Sequence, residues 1–284
     1  MLAREPGVKL AVMSARRADA EHRAALAQVA AQNSIPVLTA GKTGIFDAID
    51  SFRPDLLLSA GYDRILTADT IARVGRCVNV HFGMLPRYRG SYSIPWAILN
   101  NDPEIGVTLH DMTSSLDAGP IIRQERFPND PKKSCRDLYD SAVDIGADLV
   151  AWLVERTLSG AAPAGIPQDE KLAAYYPPDY PGEFKVPWRQ TVTYVANYIR
   201  AAHFPPYEGA FGEIDGHRIV FDWPLEFHFD TPAASPGTVL GCNARAGVAV
   251  LNGFILPTAV SVKGCRVAFA DLVSEHMLLN RSFV

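Results

Sequence analysis

Short apolar runs alternate with longer amphipathic stretches through the first 81 residues of the chain. The apolar runs are typical of strands and lie at residues 8–13, 35–38, 55–59 and 77–81. The stretches between them have the spacing of helices and cover residues 19–32, 44–51 and 67–74. Strands that alternate with helices predict an α/β fold, in which a parallel-rich sheet is covered on both faces. Functional side chains of such a sheet lie at the carboxyl ends of its strands.

The pattern changes near residue 160. Before it, the spacing predicts a helix over 93–100, a strand over 106–111 and a long helix over 134–158, which Ser134 and Asp137 would cap. After it come a Pro-, Gly- and Tyr-rich stretch, a helix over 191–202, and short alternating runs at 212–214, 218–221, 237–240, 247–251 and 254–256. We therefore expect a Rossmann-like domain over 1–160, a linker over 161–187 and a smaller β-rich barrel domain over 188–284.

Composition excludes several classes of protein. The chain has 284 residues, 48% of them hydrophobic, and a net charge of −4, which is not the charge of a nucleic-acid binder. Its four cysteines include no Cys-x-x-Cys pair, which argues against a zinc site or a disulfide framework. No apolar stretch is long enough to span a membrane, and the first residues do not resemble a signal peptide. We expect a cytoplasmic protein without a membrane or nucleic-acid partner.

An amide, an imidazole and a carboxylate are the candidate chemistry. Asn79 and His81 are two residues apart in a predicted strand, so their side chains point the same way, and Asp117 lies in a separate loop. An amide N–H can stabilise the oxyanion of acyl transfer, and a histidine beside a carboxylate can hold or move a proton. An amine could attack a carbonyl directly in such a site, without a Ser or Cys nucleophile. Ordinary structural hydrogen bonds of a buried Asn-x-His, and an Asx-turn at Asp117, are the alternative.

Four further sequence pieces surround these residues. They are Leu-Pro-Arg-Tyr-Arg-Gly at 85–90, Gly-Val-Thr-Leu-His at 106–110, Leu-Asp-Ala-Gly-Pro-Ile-Ile at 116–122 and Ala-Gly-Tyr-Asp-Arg-Ile-Leu at 60–66. With Asn-Val-His at 79–81, in this order and spacing, the chain resembles the folate-dependent formyltransferase family. The second half, around Trp188, 198–201, 207–211 and 236–239, is more loosely similar to the oligonucleotide-binding-like C-terminal barrel of methionyl-tRNA formyltransferase and its sugar-modifying relatives.

The resemblance implies a site and a co-substrate. It implies formyl transfer from 10-formyltetrahydrofolate without a metal. Asn79 would donate to the formyl oxygen, and His81 would stabilise the intermediate or move the amine proton. Asp117 would raise the pKa of His81 and orient its ring. The residues implied for the pterin pocket and its loop wall are Arg64, Ile65, Leu66, Ser115 and Leu116. Those implied for an anionic substrate are Arg87, Arg89 and Gly90, the last through its backbone. Solvent-exposed loop charges are the alternative for the three arginines, and we interpret His110 as a core histidine.

The formyl acceptor must be inferred from charge. The tRNA-modifying relatives carry a basic insertion where this chain has only the short loop 14–19. Residues 200–284 contain six Lys and Arg against eight Asp and Glu, whereas a tRNA-binding domain should be basic. We therefore favour a small amine, most of all a nucleotide-linked amino sugar. Initiator-tRNA formylation, hydrolysis of 10-formyltetrahydrofolate and a non-catalytic binding role are the alternatives, and a homodimer is possible.

The amino terminus departs from the family pattern. Relatives usually begin with a strand, a glycine-containing loop and a helix before the strand matched here by residues 8–13. A missing central strand would leave backbone groups unpaired, which is costly. We therefore expect the native chain to start upstream of Met1.

Overall fold

Parallel strands joined by helices form the first part of the molecule, as the apolar pattern predicts. The structure is a computed structural model that describes residues 8–13, 20–38, 45–62, 65–242 and 245–284. Two strands, β1 (Val12–Met13) and β2 (Val37–Leu38), are parallel neighbours, and α1 (Ala20–Gln32) lies between them in sequence. After α2 (Phe46–Phe52), β3 (Leu56–Ala60) is joined through α3 (Ala68–Ala72) to its parallel neighbour β4 (Arg76–His81).

The strand β6 runs antiparallel to β4 and brings a second set of side chains to the site. The chain continues through β5 (Arg89–Gly90), α4 (Ser93–Leu99), β6 (Glu104–Asp111) and β7 (Ile121–Pro128). The central sheet has the order β3-β4-β6-β7, and β6 is antiparallel to β4. Asn79 is therefore the cross-strand partner of His110, and His81 is that of Thr108.

The long helix α5 (Cys135–Leu158) begins where the sequence predicts. The Ser134 backbone N–H donates to Asp137 Oδ2 at 2.8 Å, and the Asp137 N–H donates to Ser134 Oγ at 3.2 Å. These reciprocal bonds satisfy backbone donors that a helix start would otherwise leave without partners. The Ser134 hydrogen bonds also lower the pKa of Asp137.

Antiparallel strands dominate the remainder of the chain. It begins with β8 (Tyr175–Tyr176), which pairs with β5, and with α6 (Val192–Ala202), which Thr191 caps. The following elements are β9 (Phe211–Ile214), β10 (His217–Phe221), β11 (Leu225–His228), β12 (Val239–Cys242), β13 (Arg245–Val250), β14 (Gly253–Pro257), β15 (Ala259–Val262), β16 (Cys265–Ala268) and α7 (Phe269–Glu275). They form two four-stranded antiparallel sheets, in the orders β16-β15-β10-β9 and β11-β14-β13-β12.

The structure confirms the predicted α/β fold with a β-rich second part, and it corrects several elements. The strand predicted over 8–13 is reduced to β1. Six strands, β5, β7, β8, β11, β15 and β16, and the helix α7 were not predicted. The β7 sequence contains four consecutive polar residues, 123–126, because β7 is at the edge of its sheet and is not buried on both faces.

The chain divides into two compact units. One comprises Met1–Arg89, Gly106–Glu125 and Val143–Ala174, and the other Gly90–Ile105, Arg126–Ala142 and Tyr175–Val284. The first is built around fully buried β4 and β6 residues such as Val78 and Leu109, and the second around Ile199, Val248 and Val260. Within the described ranges, every helix is too short or too polar to cross a lipid bilayer.

Candidate active site

Strand β4 delivers the amide and the imidazole to the same face of the central sheet, because residues two apart in a strand point the same way. Asn79 is half-buried, whereas His81 retains only 7% of its surface exposed. Both lie at the carboxyl end of β4, the position that the α/β pattern predicts for functional side chains.

His110 on β6 orients the Asn79 amide. The His110 Nδ1 lies 2.9 Å from the Asp111 carbonyl oxygen, which can only accept, so this nitrogen carries the proton. The opposite nitrogen, Nε2, is then free to accept a hydrogen bond from Asn79 Nδ2 at 3.2 Å. Among the described residues this is the only partner of the Asn79 amide, so its second N–H is available to a ligand.

His81 is held between a backbone carbonyl and a carboxylate. Its Nε2 lies 2.5 Å from the carbonyl oxygen of Tyr88 and must therefore donate to it. Its Nδ1 faces Asp117 Oδ2 at 3.6 Å. In the neutral ring Nδ1 carries a lone pair, so this nitrogen can accept one proton, and the nearby carboxylate would stabilise the resulting positive charge.

Burial dominates the electrostatics of this pair. Burial lowers the pKa of His81 below its ordinary 6.5, although Asp117 and the Tyr88 hydrogen bond act to raise it. Asp117 thus acts in the expected direction, but the net shift is downward because desolvation penalises the charged ring. A neutral imidazole at physiological pH is suited to take up a proton.

Asp117 reaches His81 from a strained loop. Its φ is 48°, in the left-handed region that non-glycine residues avoid, and its side chain is buried. Two residues later, Gly119 is buried so close to Asp111 that an added Cβ would overlap the Asp111 carbonyl oxygen. The loop therefore needs glycine at position 119 in order to pass beside β6.

The residues predicted for the pterin pocket differ in accessibility. Ile65, Ser115 and Leu116 are exposed, so a ligand can reach them. Leu66 is buried, so its side chain is not accessible to a ligand from solvent. Arg64 lies outside the described residues.

The two arginines predicted to bind an anionic substrate differ in their exposure to solvent. Arg87 is exposed. Arg89 is 0% exposed, and its guanidinium donates to Gln168 and Glu170. Arg89 is therefore not the solvent-exposed loop charge given as its alternative, because its buried guanidinium is paired with Glu170. Its contact with an anionic substrate stays a prediction. Gly90 serves backbone geometry, since its φ is 95° and an added Cβ would overlap the Tyr176 carbonyl oxygen.

Three contacts of this site were not predicted. They are the His110 bond to Asn79, the Tyr88 carbonyl that fixes His81, and the Gln168 side chain behind the Asp117 loop. A buried histidine at 110 was expected, and alternation along residues 106–110 places it on one face of the strand. Its partner depended on the register between β4 and β6, which the sequence does not reveal.

Comparison with known proteins gives the site its family. Residues 11–154 match the model of the family described as formyl transferase. The chain belongs to this family. Methionyl-tRNA formyltransferase of Moorella thermoacetica is 37% identical over 168 residues, which is 59% of this chain and 53% of that protein. The enzyme of the same name from Nitrosococcus oceani is 31% identical over 229 residues, 79% of this chain and 70% of that protein. The chain thus spans about half the length of the first relative.

Two solved structures share the fold. The N-formyltransferase of Helicobacter canadensis, solved with folinic acid and dTDP-3-aminofucose, has a TM-score of 0.61 at 24% identity and covers 82% of this chain and 81% of its own. HypX of Aquifex aeolicus, solved with tetrahydrofolic acid, has a TM-score of 0.62 at 18% identity, covering 95% of this chain and 47% of its own. The family and the Rossmann-like formyltransferase fold expected from the sequence are confirmed.

Proposed function

We propose that this protein transfers the formyl group of 10-formyltetrahydrofolate to a primary amine. The convergence of Asn79, His81 and Asp117 carries the proposal. These residue types were expected to act together, and the His81–Asp117 contact of 3.6 Å at the end of β4 supports it. Two solved proteins of the same fold, the Helicobacter canadensis N-formyltransferase with folinic acid and HypX with tetrahydrofolic acid, support the co-substrate.

The site can perform each step of this transfer. The amine nitrogen attacks the formyl carbon, a new C–N bond forms, and negative charge develops on the formyl oxygen. The available N–H of Asn79 can donate to that oxygen. The attacking nitrogen becomes positive, and the His81 Nδ1 beside Asp117 can take its proton. The bond to N10 then breaks, and a proton goes to N10 of the leaving tetrahydrofolate.

We propose a nucleotide-linked amino sugar as the acceptor. Residues 200–284 hold six basic side chains, and four of them form ion pairs at 2.5 to 2.9 Å. The pairs are Arg218–Glu208, Arg245–Glu226, Arg266–Asp222 and Arg281–Asp215. A fifth, Arg200, is buried and bonded to neighbouring backbone carbonyls. This stretch therefore presents little positive charge to a polynucleotide, whereas the exposed Arg87 could contact a single diphosphate.

Initiator methionyl-tRNA is the second candidate acceptor. The curated relatives named above are methionyl-tRNA formyltransferases at 37% and 31% identity. That likeness is stronger in sequence than the likeness to the sugar-modifying structure, which is 24% identical.

An acceptor screen with 10-formyltetrahydrofolate tests these proposals. Tetrahydrofolate release would be measured with a panel of nucleotide-linked amino sugars, with aminoacylated initiator tRNA, and without acceptor. We expect turnover with an amino sugar, and a loss of about a hundredfold in Asn79→Ala and in His81→Ala. Folate affinity should change much less in both variants. No turnover with any amine, or wild-type turnover in the two variants, would refute formyl transfer at this site, and turnover with tRNA alone would make the second candidate the function.

A further inference from the structure

We propose that Gln168 and Arg89 are positioning residues that hold Asp117 against His81. We call these two residues the Arg89–Gln168 clamp. The inference deepens the proposed function, on which it rests, by assigning roles to two residues that do not touch the reacting groups. All of the contacts that carry it lie within one compact unit.

Gln168 fixes the backbone of the Asp117 loop at two points. Its Nε2 donates to the carbonyl oxygen of Asp117 at 2.8 Å and to that of Gly119 at 2.7 Å. Asp117 is in the left-handed conformation, which an isolated loop would leave unless surrounding contacts hold it. One amide group therefore ties together two backbone carbonyls at and just after the residue that faces His81.

Arg89 determines which way the Gln168 amide points. The guanidinium donates to Gln168 Oε1 from Nε at 3.0 Å and from Nη2 at 2.8 Å. A guanidinium has only donors, so it must face the amide oxygen, and the amide NH₂ must then face the loop carbonyls. The guanidinium also donates to Glu170, with Nη1 and Nη2 at 2.9 and 2.7 Å from its two oxygens.

The backbone explains why Gln168 arrives at this loop. Ile166 forms an antiparallel bridge with Ile121, with both N–H···O distances at 2.8 Å. This bridge brings residues 166–168 alongside the end of the Asp117 loop. At the other side of the clamp, Arg89 directly follows Tyr88, whose carbonyl accepts from His81. The same stretch of chain thus holds the imidazole and, through Gln168, the carboxylate.

The test uses two opposite substitutions, one that replaces an amide with a carboxylate and one that replaces a carboxylate with an amide. Gln168→Glu keeps an oxygen for Arg89 but replaces the NH₂ with an acceptor, which repels both loop carbonyls. Glu170→Gln is the matched control, because it changes a side chain that is 68% exposed and that contacts Arg89 without contacting the loop. Gln168→Met removes the donor without adding charge, and replaces Gln168→Glu if that variant does not fold.

Four quantities would be measured in each protein: kcat and KM for formyl transfer, the Kd for folinic acid, and the His81 imidazole pKa by NMR. The His81 signal would be assigned by its absence in His81→Ala. In Gln168→Glu and Gln168→Met we expect kcat to fall about a hundredfold, as for displacement of a group by about an ångström. The Kd should stay within about threefold, because the clamp is not a ligand contact. In Gln168→Met, which adds no charge near the ring, the His81 pKa should fall further, because Asp117 raises it in the wild type.

Each outcome decides a separate claim. An unchanged kcat and an unchanged His81 pKa in both Gln168 variants would overturn the clamp. Equal losses in Glu170→Gln would also overturn it, because they would indicate general loosening around Arg89. If the wild-type protein transferred no formyl group but its His81 pKa still fell on Gln168 substitution, the clamp would stand and the proposed function would fail.

Discussion

One carboxylate faces two imidazoles at the centre of this site. Asp117 lies 3.6 Å from His81 Nδ1 and 3.5 Å from His110 Nε2. His110 Nε2 already accepts a hydrogen bond from Asn79, whereas His81 Nδ1 faces the Asp117 carboxylate. The difference favours proton uptake at His81, and it leaves His110 as the group that orients Asn79.

Asp117→Asn tests this division of roles through the pH dependence of kcat/KM. If His81 must be neutral to accept a proton, activity falls as the pH drops through its pKa, which burial lowers below 6.5. Removal of the Asp117 charge should lower that pKa further, so the acid limb should move to lower pH while the plateau falls about a hundredfold. Asparagine tolerates the left-handed conformation, so the fold should persist. An acid limb that stayed in place, or moved to higher pH, would contradict the coupling.

At this scale the sequence predicts the residues and not their partners. The two-residue spacing of Asn79 and His81 follows from strand geometry alone. The Tyr88 carbonyl could not be predicted, because a backbone group leaves no signature in residue type. The burial of Arg89 could not be predicted either, because its paired acceptors lie about 80 residues away in the chain.

Among the elements, the loop between β6 and β7 carries the tightest constraint. Its backbone at Gly119 has no room for a side chain beside Asp111. The strand β12 offers a contrast in the same molecule, since an added Cβ at Gly241 would meet no atom within 4 Å and its φ is unremarkable. A comparison of the two positions therefore distinguishes the steric effect of an added Cβ from the general effect of replacing glycine with alanine.

Gly119→Ala should therefore destabilise the protein by about 1–3 kcal/mol, because the loop must shift away from a backbone oxygen. It should also lower kcat, since Asp117 would move with the loop. Gly241→Ala should leave the free energy of unfolding within about 0.5 kcal/mol of the wild-type value. Chemical denaturation of the three proteins provides the measurement, and equal stabilities would show that the loop yields without cost.

The prediction of a helix or strand is correct where the local sequence pattern agrees with the burial of its residues in the folded protein. The helix α5 was predicted to within a residue because its cap and its amphipathic spacing are both local. The short strands β15 and β16 were missed because their identity depends on antiparallel pairing, such as Val260 with Val267, and not on length or periodicity. The strand β11 was missed for the same reason, as it gains its hydrogen bonds from β14.

Over the whole molecule, the distribution of charge bears on the choice of partner. Phosphate binding requires cations that are accessible and not accompanied by carboxylates. In the C-terminal stretch the arginines instead lie beside acidic side chains, which would repel a polynucleotide. Such exposed pairs add little stability, so their effect on binding is the more important one.

Binding of initiator methionyl-tRNA should therefore be weak, and log K should change with log salt with a slope no steeper than about −2. The informative variant combines Glu208→Gln, Asp215→Asn and Glu226→Gln, which leaves Arg218, Arg281 and Arg245 without their carboxylates. Its affinity for tRNA should rise and its slope should steepen. Submicromolar, strongly salt-dependent binding by the wild-type protein, together with efficient formylation, would contradict the prediction and favour the tRNA function.

The contrast in burial along residues 87–89 also bears on how the site can change during evolution. Arg87 is exposed, whereas Tyr88 and Arg89 next to it are buried. Tyr88 contributes a backbone carbonyl to His81, and Arg89 contributes its guanidinium to Gln168. Under the proposed role of Arg87, a mutation in its single codon would alter the charge offered to an acceptor while the neighbouring residues Tyr88 and Arg89 preserve the geometry around His81. With that role, a change of acceptor would need few mutations, because substitutions of Arg87 would alter acceptor binding while the residues that position His81 and Asp117 stay the same.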